Sequence, residues 1–284
     1  MRKDKPSRTA YKVAMCILTL SLKPGMAKIL PPGIVQATEQ LLVASGLAKV
    51  KTVRWAKSAR MLSVYQAFDR LMPGQFEALG HRKAFCEQQV REAIGAGAKQ
   101  VLVLGAGFDT LCWRLAAEFP AVQFFEFDHP ATASPKAKGV EAMGGRDNLH
   151  LVAEDLGQQK LVDLLSGLSD WDPDAQSIII AEGLVMYLPA EAVGEMFRQC
   201  FAAVGDGSRI AFSYIPSGAD GRPDVGKWTG LMLWLQNVSG EPWLWSIHPA
   251  NLSSYLSSLG WTCQQDAAEA AQKFGVEHFV VTQK

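Results

Sequence analysis

The stretch "VLVLGAGFDTLCWRL", residues 101–115, decides the fold. An unbroken apolar run of this kind is what a strand buried on both faces of a parallel sheet requires. It breaks into Gly105-Ala106-Gly107 and resumes as the helical pattern "TLCWRLAAEF". A buried strand that turns on two glycines into a helix leaves its backbone open to close approach by a ligand.

Working outward, "VQFFEFDHP", "LHLVAED", "QSIIIAEGLVMYL" and "SRIAFSYI" follow as further strands, spaced so that helices fit between them. "PAEAVGEMFRQCFAAV" reads as one such helix, with Pro189 at a first-turn position. "NLSSYLSSLGWTCQQD" reads as a helix, a glycine stop and a strand, and "EHFVVTQK" as a final strand. About ten residues join those two strands, too few for a crossover helix, so a closing hairpin is expected. The alternation predicts an α/β fold: a doubly wound, mostly parallel sheet carrying one late antiparallel strand. Upstream of residue 95 no strand-like run occurs, and helices broken by "KPGMAKILPPG" and "MPGQ" are expected. The reading is a helical N-terminal cap or extension over residues 1–80 and a ligand-binding domain over 81–284. Within the latter, residues 216–250 form a candidate lid.

In open α/β sheets, ligands bind beyond the carboxyl ends of the strands. The first strand ends on Gly105-Ala106-Gly107, the second on Asp128, the third on Asp155-Leu156 and the fourth on Glu182-Gly183. Three carboxylates and a glycine turn therefore converge on one crevice. A dinucleotide fingerprint would carry a third glycine where Thr110 stands, and Asp109 at the helix start would repel a pyrophosphate. No Gly-Lys-Ser/Thr loop occurs. The crevice suits a nucleoside without phosphates. S-adenosyl-L-methionine fits, with Asp128 for a ribose diol, Asp155 for the adenine amino group and the remaining acids for a cationic methionine end.

These motifs resemble the leucine carboxyl methyltransferase family, also called the PPM family, of class I methyltransferases. G-A-G-x-D-T, E-x-D-x-P and A-E-G-x-x-x-Y-L recur in order, and the resemblance covers roughly residues 80–215. It implies a Rossmann-like sheet of seven strands and S-adenosyl-L-methionine as cofactor. It also implies that Gly105, Ala106 and Gly107 lie along the methionine portion, Asp128 holds the ribose, Asp155 and Leu156 frame the adenine, and Glu182 lies on the methionine side. The family's arginine for the cofactor carboxylate, about 25 residues before the second glycine, matches Arg82. A further upstream basic residue of the family has four competitors here: Lys49, Lys51, Arg54 and Lys57. The first ~75 residues depart from the family's pattern.

Methyl transfer is an in-line displacement that mainly needs positioning. A carboxylate acceptor is ionised at neutral pH and needs no base, whereas a hydroxyl, phenol or amine does. The expectation is methylation of a carboxylate on a small molecule or peptide. The alternatives are one of those other acceptors, or a cofactor-binding regulatory protein without catalysis. Tyr187 is the candidate side chain facing the transferred methyl. His129, followed by Pro130, reads as a turn residue, while His81 and His248 have no assigned place. The segment "GKWTGLMLWLQNVSGEPWLWSIHP" holds four of the eight tryptophans and either lines an apolar pocket or packs as core.

Composition sets outer bounds. Lys+Arg and Asp+Glu balance at 28 each, which argues against nucleic acid or a charged membrane surface as partner. Five scattered cysteines without metal-ligand spacing read as reduced thiols, and no metal is expected. The apolar run "VAMCILTLSL" is too short to span a membrane and reads as an amphipathic helix, so a cytoplasmic location is expected. The sequence sets no oligomeric state.

Overall fold

The computed structural model describes residues 6–71, 73–263 and 271–284. Five helices come first: α1 (Arg8–Leu20), α2 (Ile34–Ala44), α3 (Val50–Ala56), α4 (Ala59–Leu71) and α5 (Gln75–Gly95). The alternating part follows as β1 (Gln100–Leu104), α6 (Leu111–Glu118), β2 (Gln123–Asp128), α7 (Pro130–Ala142) and β3 (Leu149–Ala153). It continues with α8 (Leu161–Ser166), β4 (Ser177–Ala181), α9 (Ala190–Ala202) and β5 (Arg209–Tyr214). The chain closes with α10 (Thr229–Ser239), α11 (Pro249–Ser258), β6 (Gln272–Phe274) and β7 (Glu277–Gln283).

In the described residues one sheet of seven strands runs β3-β2-β1-β4-β5-β7-β6. The first five strands are parallel, and β7 lies antiparallel between β5 and β6. The expected doubly wound sheet with a late antiparallel strand is therefore what the chain forms. Every residue of β1 and β4 is buried, which is why both read as continuous apolar runs. The chain reverses direction of strand order between β1 and β4, and at that switch point the carboxyl ends open a crevice.

Three local details differ from the sequence reading. Pro189 is the residue before α9 and not in its first turn; its extended backbone (ψ 150°) keeps it outside the helix. The strand expected over "GWTCQQD" is reduced to one antiparallel bridge, Thr262 to Gln283, and its residues 264–266 lie outside the described residues. The hairpin onto β7 is instead made by β6 through the two-residue turn Gly275-Val276, much tighter than the ten-residue connection expected. The basic residues Arg2, Lys3 and Lys5, read with the apolar run that follows them, also lie outside the described residues.

Candidate active site

The turn after β1 builds the floor of the site. Gly105 (φ 65°) and Gly107 (φ 53°) both adopt left-handed backbone, which disfavours any side chain. The N–H of Gly105 donates to the carbonyl of Phe127 (2.8 Å), so the turn is pinned to the end of β2. A Cβ on Gly105 would stand 2.9 Å from Leu184 Cδ1, and one on Gly107 3.0 Å from Ala10 Cβ. Both glycines are therefore needed for space as well as for conformation.

Asp128, the last residue of β2, completes the turn. Its Oδ2 accepts from the Gly107 N–H (2.6 Å) and its Oδ1 from the His129 N–H (2.7 Å). Burial raises its pKa, opposed by those two bonds. Each oxygen keeps a lone pair for one more donor, which is the geometry a vicinal diol asks for. Asp155 accepts from the Gly157 N–H (3.0 Å) and from Gln158 (2.9 Å), and thus shapes the loop after β3 around Leu156.

A compact ionic cluster stands on the opposite wall. The Arg82 Nε–H donates to Glu182 Oε1 (3.1 Å), and Arg82 also pairs with Glu277. Lys83 pairs with Glu182 (2.9 Å) and with Asp109. Burial alone would lower the pKa of both cations, but the neighbouring carboxylates outweigh it and hold them firmly charged. Asp109 is desolvated too, yet Lys83 holds its carboxyl below the usual range. Its Oδ1 accepts from the Leu111 N–H (2.6 Å) at the start of α6. An internal carboxylate thus occupies the helix terminus where a phosphate would bind.

These elements enclose one cavity of about 910 Å³. The structure brings Arg82, Gly105, Ala106, Asp128, Asp155, Leu156, Glu182 and Tyr187 together on its lining. Gly107 sits beneath Ala10 and is held through Asp128. The Tyr187 phenol is pushed up to about 12, by burial first and then by the nearby Glu277 charge.

Lys49, Lys51, Arg54 and Lys57 are absent from the lining, and Lys57 pairs with Glu39 at 2.7 Å. His129 accepts from the Ala131 N–H (3.2 Å) and caps α7, and it also lines the cavity. His248 caps α11 in the same way (3.3 Å), and His81 stacks on Phe274. None of the four tryptophans of residues 226–249 lines the cavity. Trp245 is buried in the core, Trp234 is 59% exposed, and Glu241, Pro242 and Leu244 reach the site instead.

Sequence reasoning missed Lys83, Glu241 and Glu277, and it expected an N-terminal cap without singling out α1 as the part that forms the roof. Lys83 lay one residue beyond Arg82, and two carboxylates without an assigned cation were its available signal. Ser7 links the roof to the strap: its hydroxyl donates to Glu241 (3.2 Å) and its N–H to Thr132 (3.0 Å). Among the described residues, no group of three or more His, Cys, Asp or Glu is placed to hold a metal, and no helix is long and apolar enough to cross a membrane. Cys16, Cys86, Cys112 and Cys200 are buried thiols.

Comparison with known proteins bears on the family and the fold. The sequence model of the leucine carboxyl methyltransferase family matches residues 36–201. A protein of Mycobacteroides abscessus named "Putative S-adenosyl-L-methionine-dependent methyltransferase" is 30% identical over 212 residues, covering 70% of this chain and 66% of that protein. The similarly named YktD of Bacillus subtilis is 28% identical over 163 residues, covering 57% of this chain and 53% of its own length. The chain thus spans from about half to just under two thirds of the length of these relatives. Among solved structures, one described as a "putative methyltransferase" from Thermobifida fusca shares the fold, with a TM-score of 0.57, 15% identity, 92% of this chain and 97% of that chain covered. With more than half of its residues matched by that family's model, the chain belongs to the leucine carboxyl methyltransferase family of S-adenosylmethionine-dependent methyltransferases.

Proposed function

We propose that this protein binds S-adenosyl-L-methionine in the 910 Å³ cavity and methylates a small-molecule or peptide acceptor there. The observation that carries the reading is the convergence of Gly105, Asp128, Asp155 and Glu182, from four successive strand ends, on that one cavity. Gly105, Ala106 and Gly107 would run along the methionine portion, Asp128 would take both ribose hydroxyls, and Asp155 with Leu156 would frame the adenine. Glu182 would stand on the methionine side, with the remaining N–H groups of Arg82 for the carboxylate. The bound cofactor supplies a methyl group activated by a sulfonium.

The chain's own part is to position and to exclude water. Residues 1–80 serve as a cap and 216–250 as a lid, through Ala10, Ile17, Glu241 and Leu244 on the lining. Tyr187 stays protonated at neutral pH and offers a hydroxyl donor at the acceptor end. The family favours a carboxylate oxygen as acceptor, which needs no base. One observation favours a hydroxyl, phenol or amine instead. Arg82 and Lys83 are both engaged by carboxylates, and Glu241 and Glu277 add negative charge to the same wall.

The test is calorimetric titration of S-adenosyl-L-methionine into wild type and Asp128→Ala. Loss of two charge-assisted hydrogen bonds weakens binding about a hundredfold. A folded wild type that takes up no S-adenosyl-L-methionine overturns the proposal.

A further inference from the structure

Glu277 opens β7, the strand that runs against its neighbour β5. Its first residue, rather than its last, therefore reaches the carboxyl edge of the sheet. The residue is 8% exposed and lines the cavity. Its Oε1 is taken by Arg82, while its buried Oε2 makes no well-directed hydrogen bond, with the Ser213 hydroxyl near the carboxyl. Such an oxygen, buried and incompletely satisfied, is costly unless a ligand group meets it.

The charges around it are unequal. Asp109, Glu182 and Glu277 face Arg82 and Lys83, three carboxylates against two cations. One negative charge is left over in a desolvated cleft, where it attracts a cation more strongly than in water. Burial pushes the Glu277 carboxyl up, opposed by Arg82 and the Ser213 hydroxyl. A cationic guest would hold it ionised. Glu277 and Tyr187 line the same cavity.

Resting on the cofactor reading above, we propose that Glu277 is a binding residue for the sulfonium end of S-adenosyl-L-methionine. Through its charge, the protein holds this cation more tightly than S-adenosylhomocysteine. The two ligands share adenine, ribose and the amino-acid zwitterion, and differ by a methyl group and one positive charge. Glu277 thus acts on their ratio: it favours uptake of the methyl donor and departure of the neutral product.

Calorimetric titration of S-adenosyl-L-methionine, S-adenosylhomocysteine and the amine analogue sinefungin into wild type and Glu277→Gln tests this. Sinefungin carries an ammonium where the sulfonium stands, so it separates charge from the methyl group. Wild type is expected to prefer both cations by about tenfold, and Glu277→Gln to lose that preference while its S-adenosylhomocysteine affinity stays within about threefold. Glu277→Asp, which keeps the charge, retains part of the preference. An unchanged ratio in Glu277→Gln overturns the proposal and leaves the cofactor reading standing. Equal binding of all three ligands by wild type does the same without any variant. A wild type that binds none of the three overturns both.

Discussion

Lys136 of α7 and Glu126 of β2 bury one charge against one charge, 2.5 Å apart, each side chain 4% exposed. Arg82 and Lys83 of α5 face three carboxylates and open on the large cavity. A small void of about 30 Å³, whose mixed lining includes Lys83 and Glu182 on one side and Glu126 on the other, lies between the two groups. The balanced pair ties a helix to a strand. An unbalanced cluster is costly to fold unless a cation from outside meets it. Balance, more than burial, separates a structural ion pair from a binding site here.

The sharpest way to break this contrast is to unbalance the closed pair. Lys136→Met leaves Glu126 buried and alone, and stability to urea should fall by about 3–5 kcal/mol. Adding Glu126→Gln should restore most of it, because a buried pair removed as a unit is close to neutral. A single-variant loss below about 1 kcal/mol would mean that the pair is not what holds α7 to β2.

Next, Glu182→Gln removes one carboxylate from the open cluster while Arg82 and Lys83 keep Glu277 and Asp109. Its main effect should be a loss of S-adenosyl-L-methionine affinity of about tenfold, or about 1.4 kcal/mol, read by calorimetry. If urea stability falls as far as in Lys136→Met while affinity holds, the contrast fails.

The smallest effect concerns His278, next to Glu277 on β7. Burial pushes its pKa down from 6.5 to about 4. The unfolded chain therefore binds a proton between those values that the folded chain does not, and stability is lost as pH falls from 6.5 towards 4. Glu277 has the opposite sign: its raised folded pKa makes the folded chain the stronger proton binder above the ordinary carboxyl range. His278→Gln should flatten the acid loss by under about 1 kcal/mol at this partly exposed position, seen as a smaller change in urea midpoint between pH 6.5 and 4. A steeper acid loss in the variant would reverse the assigned sign.

Much of this architecture was legible in the chain. β1 and β4 announce themselves because strands buried on both faces must be apolar throughout; Glu182 follows directly on β4, Asp128 closes β2, and Asp155 lies two residues beyond the partly buried β3. Glu277 was hidden because parallel strands bring their ends to the ligand edge, whereas an antiparallel strand delivers its beginning to the same edge. Lys83 joins Asp109 and Glu182 across 26 and 99 residues of sequence, a convergence that only the folded sheet creates. The apolar rhythm of α1 foretold a helix but not its partner, because docking over Gly107 depends on shape and leaves no periodic mark. The tryptophans of residues 226–249 left pocket lining and core packing equally open, because aromatic content does not say which way a side chain faces.

The seat of Ala10 over Gly107 ties ligand occupancy to the fastening of the first helices. α1 and α2 both contribute to the cavity wall, so whatever fills the cavity with α1 in place also pays for keeping it there. At a hundred times its dissociation constant, such a ligand adds about 2.7 kcal/mol to that state. The roof is therefore a reporter as well as a wall. Protection of the connection around residues 21–33 from a protease would register cofactor or inhibitor without any methyl group being moved.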